Sequence, residues 1–214
     1  MPWRLSPQIE EILSKGRDGV PLGRDEALSL MHLELESRET YALMEAANYL
    51  SRSQFGAKGE MHFHIGLNVE PCPMDCAFCS LTRQAGVFTE KIEFPLEDVL
   101  AWARQGETEG ADALNLMTTG TYPFTRLLEV GRLLKNTVQV PLVANARDIN
   151  HAEGEQLLDA GFVGFYHSVR LGEGTDTPFK PERRIQTIRV LHDVGLKWMN
   201  CVEPVGPEHS FEEI

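Results

Sequence analysis

The sequence is short of cysteine, and the few it has are unevenly placed. Of four in 214 residues, three fall close together, at Cys72, Cys76 and Cys79. A disulfide framework spreads its cysteines along a chain, so this pattern excludes one and points to a metal or cluster site. Long apolar runs are missing too. None approaches the ~18 consecutive residues a membrane-spanning helix needs, so no membrane partner is expected. The opening MPWRLSPQIEEIL lacks the charged-then-apolar order of a secretory signal, and a cytoplasmic location is expected. Basic charge is in deficit: 20 Lys+Arg against 32 Asp+Glu leave a formal charge of −12. Such a chain is poorly suited to a phosphate backbone, and nucleic acid is not an expected partner. What is present is an ordinary globular balance, 42% hydrophobic and 24% charged.

The first stretch, residues 1–58, reads as an N-terminal helical segment. Ser6-Pro7 opens one helix, a second runs from about Asp25 to Glu36, and Ser37 caps a third that ends at Gly56. In the third, Tyr41, Leu43, Met44, Ala47 and Leu50 form the expected apolar stripe. From residue 59 the pattern changes to strands alternating with helices. Met61–Val69, Ala111–Met117, Val140–Ala146, Phe162–Ser168 and Lys197–Glu203 read as strands. Pro95–Glu109, Pro123–Asn136, Glu153–Ala160 and Pro181–Val194 read as helices, the last with Ile185, Ile188, Leu191 and Val194 on its apolar face. Gly110, Gly161 and Gly195 each end a helix directly before a strand. Serial βα units make a parallel sheet, and no glycine-rich phosphate turn follows the first strand. The fold class is therefore α/β, a parallel (βα) partial TIM barrel preceded by the helical segment. Residues 59–214 form a barrel core expected to be incomplete at its C-terminus.

Barrel strands pack their outer faces on helices, so apolar parity assigns the faces. Met61, Phe63, Ile65 and Leu67 point outward, which turns His62, His64, Gly66 and Asn68 into the lumen. On the second strand Leu114 and Leu116 go outward and Asn115, Met117 and Thr119 inward. Asn145 and Arg147 stand at the end of the third strand, where such barrels build their sites. A lumen this polar is costly as plain core and reads as a pocket for a small, anionic or hydrogen-bonding substrate.

The central text is Glu70-Pro-Cys72-Pro-Met-Asp-Cys76-Ala-Phe-Cys79, a C-x3-C-x2-C spacing directly after the first strand. Three thiolates on one short loop can hold three corners of an iron–sulfur cube and leave one iron open. A zinc knuckle completed by His62 or His64 is the competing reading of the loop. The His62-x-His64 pair also resembles the metal pair of a zinc-dependent barrel hydrolase, with His167 as the further inward candidate. A non-catalytic iron–sulfur or zinc scaffold is the third possibility. Cys201 reads as a small core residue.

The cysteine spacing after the first strand of a βα barrel resembles the radical S-adenosylmethionine (SAM) superfamily. The helical prelude and Gly164-Phe-Tyr-His-Ser-Val-Arg resemble its biotin-synthase-like branch, which includes the hydrogenase maturase and methylornithine synthase types; the resemblance covers about Tyr41 to Ile214. It implies a [4Fe–4S] cluster on Cys72, Cys76 and Cys79, and SAM as second cofactor. It also implies cleavage of SAM to a 5′-deoxyadenosyl radical that abstracts hydrogen from a small molecule, with reduced flavodoxin or ferredoxin as electron donor. By the same resemblance Phe78 lies beside adenine, and Arg170, Glu173 and Arg184 meet the SAM amino acid. Thr118, Thr119 and Gly120 occupy the turn that holds the SAM amino group, where the family often carries Gly-Gly-Glu and this chain lacks the acid. Rearrangement, C–C cleavage or cofactor-precursor synthesis are the reactions it implies; sulfur insertion is not expected with one further cysteine. His62, His64, Tyr122, Asn145, Arg147, His167 and Glu203 are the expected substrate contacts.

Overall fold

The computed structural model describes residues 4–56, 58–199 and 201–214. The chain divides into two units, one formed by the N-terminal helices through Gly59 with Gly206–Ile214, the other by Glu60–Val205. The first holds α1 (Pro7–Arg17), α2 (Arg24–Met31) and α3 (Arg38–Phe55). Ser37 Oγ accepts from the backbone N–H of Thr40 at 3.2 Å, and Gly56 ends α3 with a φ of 66°. The helical core is small: Ile9, Ile12 and Leu13 of α1 meet Ala46, with Ala42, Leu43, Leu30 and Leu33 around them. The face of α3 differs from the expected stripe, since Tyr41 and Met44 are more than half exposed. Small side chains at 42 and 46 allow α1 to approach, and the large ones lie on the flanks. The second helix ends at Met31, not Glu36. In the C-terminal segment of this unit, the ring of Phe211 meets that of His32 edge-on at 4.9 Å, and Arg24 donates to the carbonyl of Glu212 at 3.3 Å.

The second unit is a five-stranded parallel sheet of β1 (His62–Gly66), β4 (Ala113–Met117), β5 (Leu142–Asn145), β6 (Phe162–Tyr166) and β7 (Lys197–Met199), in that spatial order. Four helices, α4 (Leu96–Thr108), α5 (Phe124–Lys135), α6 (His151–Asp159) and α7 (Pro181–Val194), supply the crossovers. The three glycines at the αβ junctions all take left-handed backbone, with φ of 82°, 98° and 82° at Gly110, Gly161 and Gly195. A side chain is disfavoured there, which explains glycine at each helix end. The outward leucines Leu114 and Leu116 are fully buried with Val99 and Ala103 of α4 and Leu127 and Leu134 of α5. Of the expected last strand, Lys197–Met199 forms and Asn200 lies outside the described residues.

Three departures shape the site. The first strand stops at Gly66; Asn68–Val69 (β2) leaves the sheet and pairs antiparallel with Ile92–Glu93 (β3) as a separate ribbon. Between β5 and β6 the register shifts: Leu142 faces Phe162, but Val143 faces Gly164, so Val163 is an extra residue. Finally, α7 buries Arg184, Thr187, Val190 and Leu191, while Ile185 is 41% exposed. Its inner face is partly polar because it packs over the half-buried carboxylate of Asp148, which Arg184 and Thr187 both meet. Among the described residues no helix is long and apolar enough to cross a membrane.

Candidate functional site

The C-terminal ends of the parallel strands converge on one cavity. It is lined by Cys72, Cys76 and Cys79 from the loop after β1, by Thr118, Thr119 and Gly120 after β4, by Asn145 and Arg147 after β5, and by Tyr166, Arg170 and Arg184 from β6 to α7. The cavity is about 140 Å³.

The cysteine loop is fixed by its own backbone. Cys72 donates its N–H to the carbonyl of Leu81 at 2.8 Å and accepts from Arg83 N–H at 3.1 Å; Cys79 N–H donates to the carbonyl of Cys76 at 3.0 Å. Asp75 takes a left-handed φ of 45°, and its carboxylate accepts from the N–H of Gln84 at 3.2 Å. The antiparallel ribbon pins the two ends of the excursion together. All four cysteines are free thiols. Burial pushes the Cys76 thiol up, Cys79 adds to that, and Arg170 opposes it.

Among the described residues, no three His, Cys, Asp or Glu side chains are gathered closely enough to hold a single metal ion. The three thiols instead share the rim of one cavity. That arrangement fits a cubane, in which each thiolate holds a different iron, better than one ion held by all three. His62 does not join them. It lines a separate cavity of about 750 Å³ with Glu60, Asp112 and Lys197, at the opposite ends of the strands. His64 hydrogen-bonds the amide nitrogen of Asn115 at 2.9 Å, beside the edge of the sheet. The zinc site expected from these histidines is not assembled among the described residues.

The basic wall is built from three arginines with different anchors. Arg147 is held by Glu153 at 2.5 Å and donates to the carbonyl of Asp148 at 2.6 Å. Arg184, 4% exposed, donates to the carbonyl of Ser168 at 3.0 Å and to Asp148 at 3.2 Å, and lies 3.6 Å from Glu173. Burial pushes its pKa down and the Asp148 carboxylate opposes that. Arg170 stacks over Phe78 at 5.7 Å and lies 3.8 Å from Glu173 and 3.7 Å from Glu203. Glu173 is itself taken up by Arg170 and Arg184 and by Thr177, whose hydroxyl donates to it at 2.5 Å.

Of the other residues singled out, Tyr122 is buried away from the cavity; its hydroxyl donates to Glu93 at 3.1 Å, and burial with that carboxylate pushes the phenol up to about 12. His167 also stands behind the wall. The extra residue at Val163 reverses strand parity, so His167 faces Asp148 and the carbonyl of Arg184 at 3.5 and 3.2 Å. The same reversal brings Tyr166 into the cavity, its hydroxyl 3.2 Å from Cys201 Sγ and donating to Glu203 at 3.4 Å.

Sequence reasoning passed over Glu70, Asp148 and Tyr166. Glu70 was open to detection, since it shares the inward parity of His62, His64, Gly66 and Asn68. It is 7% exposed and accepts hydrogen bonds from the hydroxyls of Thr119 and Thr121. Burial would raise its carboxyl, but those bonds and Lys91 outweigh it and hold it below the ordinary value.

The class that fold and site define is a βα partial barrel with a three-cysteine loop at its C-terminal mouth. No family model matches the chain. It is 26% identical over 201 residues to the biotin synthase of Pelotomaculum thermopropionicum, covering 88% of this chain and 61% of that protein. It is also 26% identical over 219 residues to the biotin synthase of Carboxydothermus hydrogenoformans, covering 96% and 66%. Among solved structures, HydG, a maturase of the [FeFe]-hydrogenase, superposes with a TM-score of 0.81 at 12% identity over 99% of this chain and 49% of that one. The methylornithine synthase PylB gives 0.78 at 14% identity over 89% and 58%. The structural likeness establishes the fold; the chain spans about half to two thirds of the length of these proteins. The similarity is to the biotin-synthase-like branch of the radical SAM superfamily.

Proposed function

We propose that this chain is the barrel core of a radical SAM enzyme that abstracts hydrogen from a small-molecule substrate. The observation that carries the reading is the convergence of Cys72, Cys76 and Cys79 with Thr118–Gly120, Asn145, Arg170 and Arg184 on one cavity. When bound and reduced, a [4Fe–4S] cluster with SAM supplies a 5′-deoxyadenosyl radical. The protein's own share is placement. Cys72, Cys76 and Cys79 hold three irons. Arg184, rigid on Asp148 and Ser168, and Arg170, stacked on Phe78, offer guanidinium groups to a carboxylate. Thr118, Thr119 and Gly120 form the opposite wall, and Phe78 offers an aromatic face. Asn145 and Arg147 are the substrate contacts best supported by position, and they favour a polar, anionic group. Tyr166 shares that wall, and Glu203 reaches it through Tyr166 and Arg170. Reduced flavodoxin or ferredoxin as donor and a cytoplasmic setting belong to the same proposal.

The test is anaerobic reconstitution with iron and sulfide, reduction, addition of SAM and assay for 5′-deoxyadenosine. The expected result is about four irons per chain and 5′-deoxyadenosine formation. Replacement Cys76→Ala is expected to abolish both. A chain that loads fully with iron yet forms no 5′-deoxyadenosine would refute the reading.

A further inference from the structure

We infer that Glu70 is a positioning residue of this site: it fastens the turn Thr118–Thr121 against the cysteine loop and provides the negative pole that an ammonium group of the ligand meets there. The inference rests on the proposed binding of SAM and names what orients its amino acid end.

A single carboxylate oxygen of Glu70 accepts from the hydroxyls of both Thr119 and Thr121 and from the amide nitrogen of Asn68 at 3.3 Å. Asn68 in turn accepts from the N–H of Thr119 at 3.0 Å and donates to its hydroxyl at 2.8 Å. β2, with Glu70 directly after it, and the turn after β4 are thereby tied into one network. That turn leans on the cysteine loop: a Cβ on Gly120 would stand 2.7 Å from Met74 Cγ and 3.8 Å from Cys72 Sγ. Among the described residues the other Glu70 oxygen is met by the single cation Lys91, at 3.3 Å, whose side chain is 59% exposed, a pairing worth little. The charge of Glu70 is thus weakly neutralised, and it lies behind the Thr118–Gly120 wall. Arg147, Arg170 and Arg184 occupy the other side of the cavity. The carboxylate of Glu173 is taken up by Arg170 and Arg184. A zwitterionic α-amino acid group placed between the two poles is oriented by both, carboxylate to the guanidinium side and ammonium to the Glu70 side.

Equilibrium dialysis of SAM and of 5′-deoxyadenosine, which lacks the amino acid end, against the reconstituted full chain tests this, with iron per chain measured on every sample. Glu70→Gln keeps an acceptor for the threonines and removes the charge. Its SAM affinity is expected to fall about tenfold, with 5′-deoxyadenosine affinity within about twofold and iron content unchanged. Thr121→Val, which removes one of the two hydroxyl ties, is expected to lose roughly threefold for SAM alone. SAM affinity unchanged in Glu70→Gln overturns the inference. A parallel loss of both ligands and of iron also overturns it, since that marks a merely structural role. A native chain that holds its iron and binds no SAM overturns the parent reading, and this one with it.

Discussion

Two buried side chains show how a single residue can carry a measurable load in this molecule. His167 is 1% exposed, and burial, with the charge of Arg184 nearby, pushes its pKa down to about 3. The folded chain therefore keeps His167 neutral while the unfolded chain protonates it near its ordinary value. Its depressed pKa contributes stability that is present above about pH 6.5 and is lost as pH falls towards about 3. Relative to His167→Gln, the native chain is expected to lose up to about 1.4 kcal/mol of unfolding free energy per pH unit across that window, read from denaturant melts at pH 7 and pH 5. Equal slopes would contradict the buried neutral imidazole. Arg184 is the second case. Arg184→Met leaves Asp148 and Glu173 without their buried partner and is expected to cost roughly 3 kcal/mol in the same melts. Cost below about 1 kcal/mol would mean that the pair is solvated.

At the scale of elements, glycines test how tightly the helices seat. Gly131 of α5 has no room for a methyl group: its Cβ would collide with the ring of Phe162 and come within 3.3 Å of the carbonyl of Ala160. Helix propensity favours alanine by about 1 kcal/mol, overpacking disfavours it by about 1–3, and packing against a rigid strand is expected to win. Gly16 of α1 meets nothing within 4 Å, so Gly16→Ala is expected to stabilise by about 0.5–1 kcal/mol. Thermal melts of the two variants should shift in opposite directions. Much of the element order was legible because each signal is local. Ser37 and Gly56 bound α3, Pro181 and Val194 bound α7, and Gly110, Gly161 and Gly195 mark the turns into strands. Position at the end of the third strand also placed Asn145 and Arg147 at the mouth. What escaped depends on distant partners. The face of α7 is set by Asp148, one βα unit away, so Ile185 is exposed where its spacing implied core. Phe162 and Phe165, three residues apart, are both fully buried, which plain alternation forbids; only the register against β5 shows that Val163 is surplus.

For the whole molecule, the two units differ in how much they bury. The barrel unit has a continuous core from Ile65 to Leu196, whereas among the described residues the helical unit has four buried apolar side chains and α2 buries none. Local opening follows burial, so amide exchange is expected to be slowest in β4 and β5 and fastest in α2, by orders of magnitude. Uniform protection across both units would contradict this ranking. Against an overall balance of 20 Lys+Arg to 32 Asp+Glu, guanidinium groups gather at the mouth of the sheet. The ribbon of Asn68–Val69 with Ile92–Glu93 has a consequence of its own. A segment whose entrance and exit are stapled to each other behaves as a cassette. Variation within it is confined between the stapled ends, and the strands beneath it keep their places.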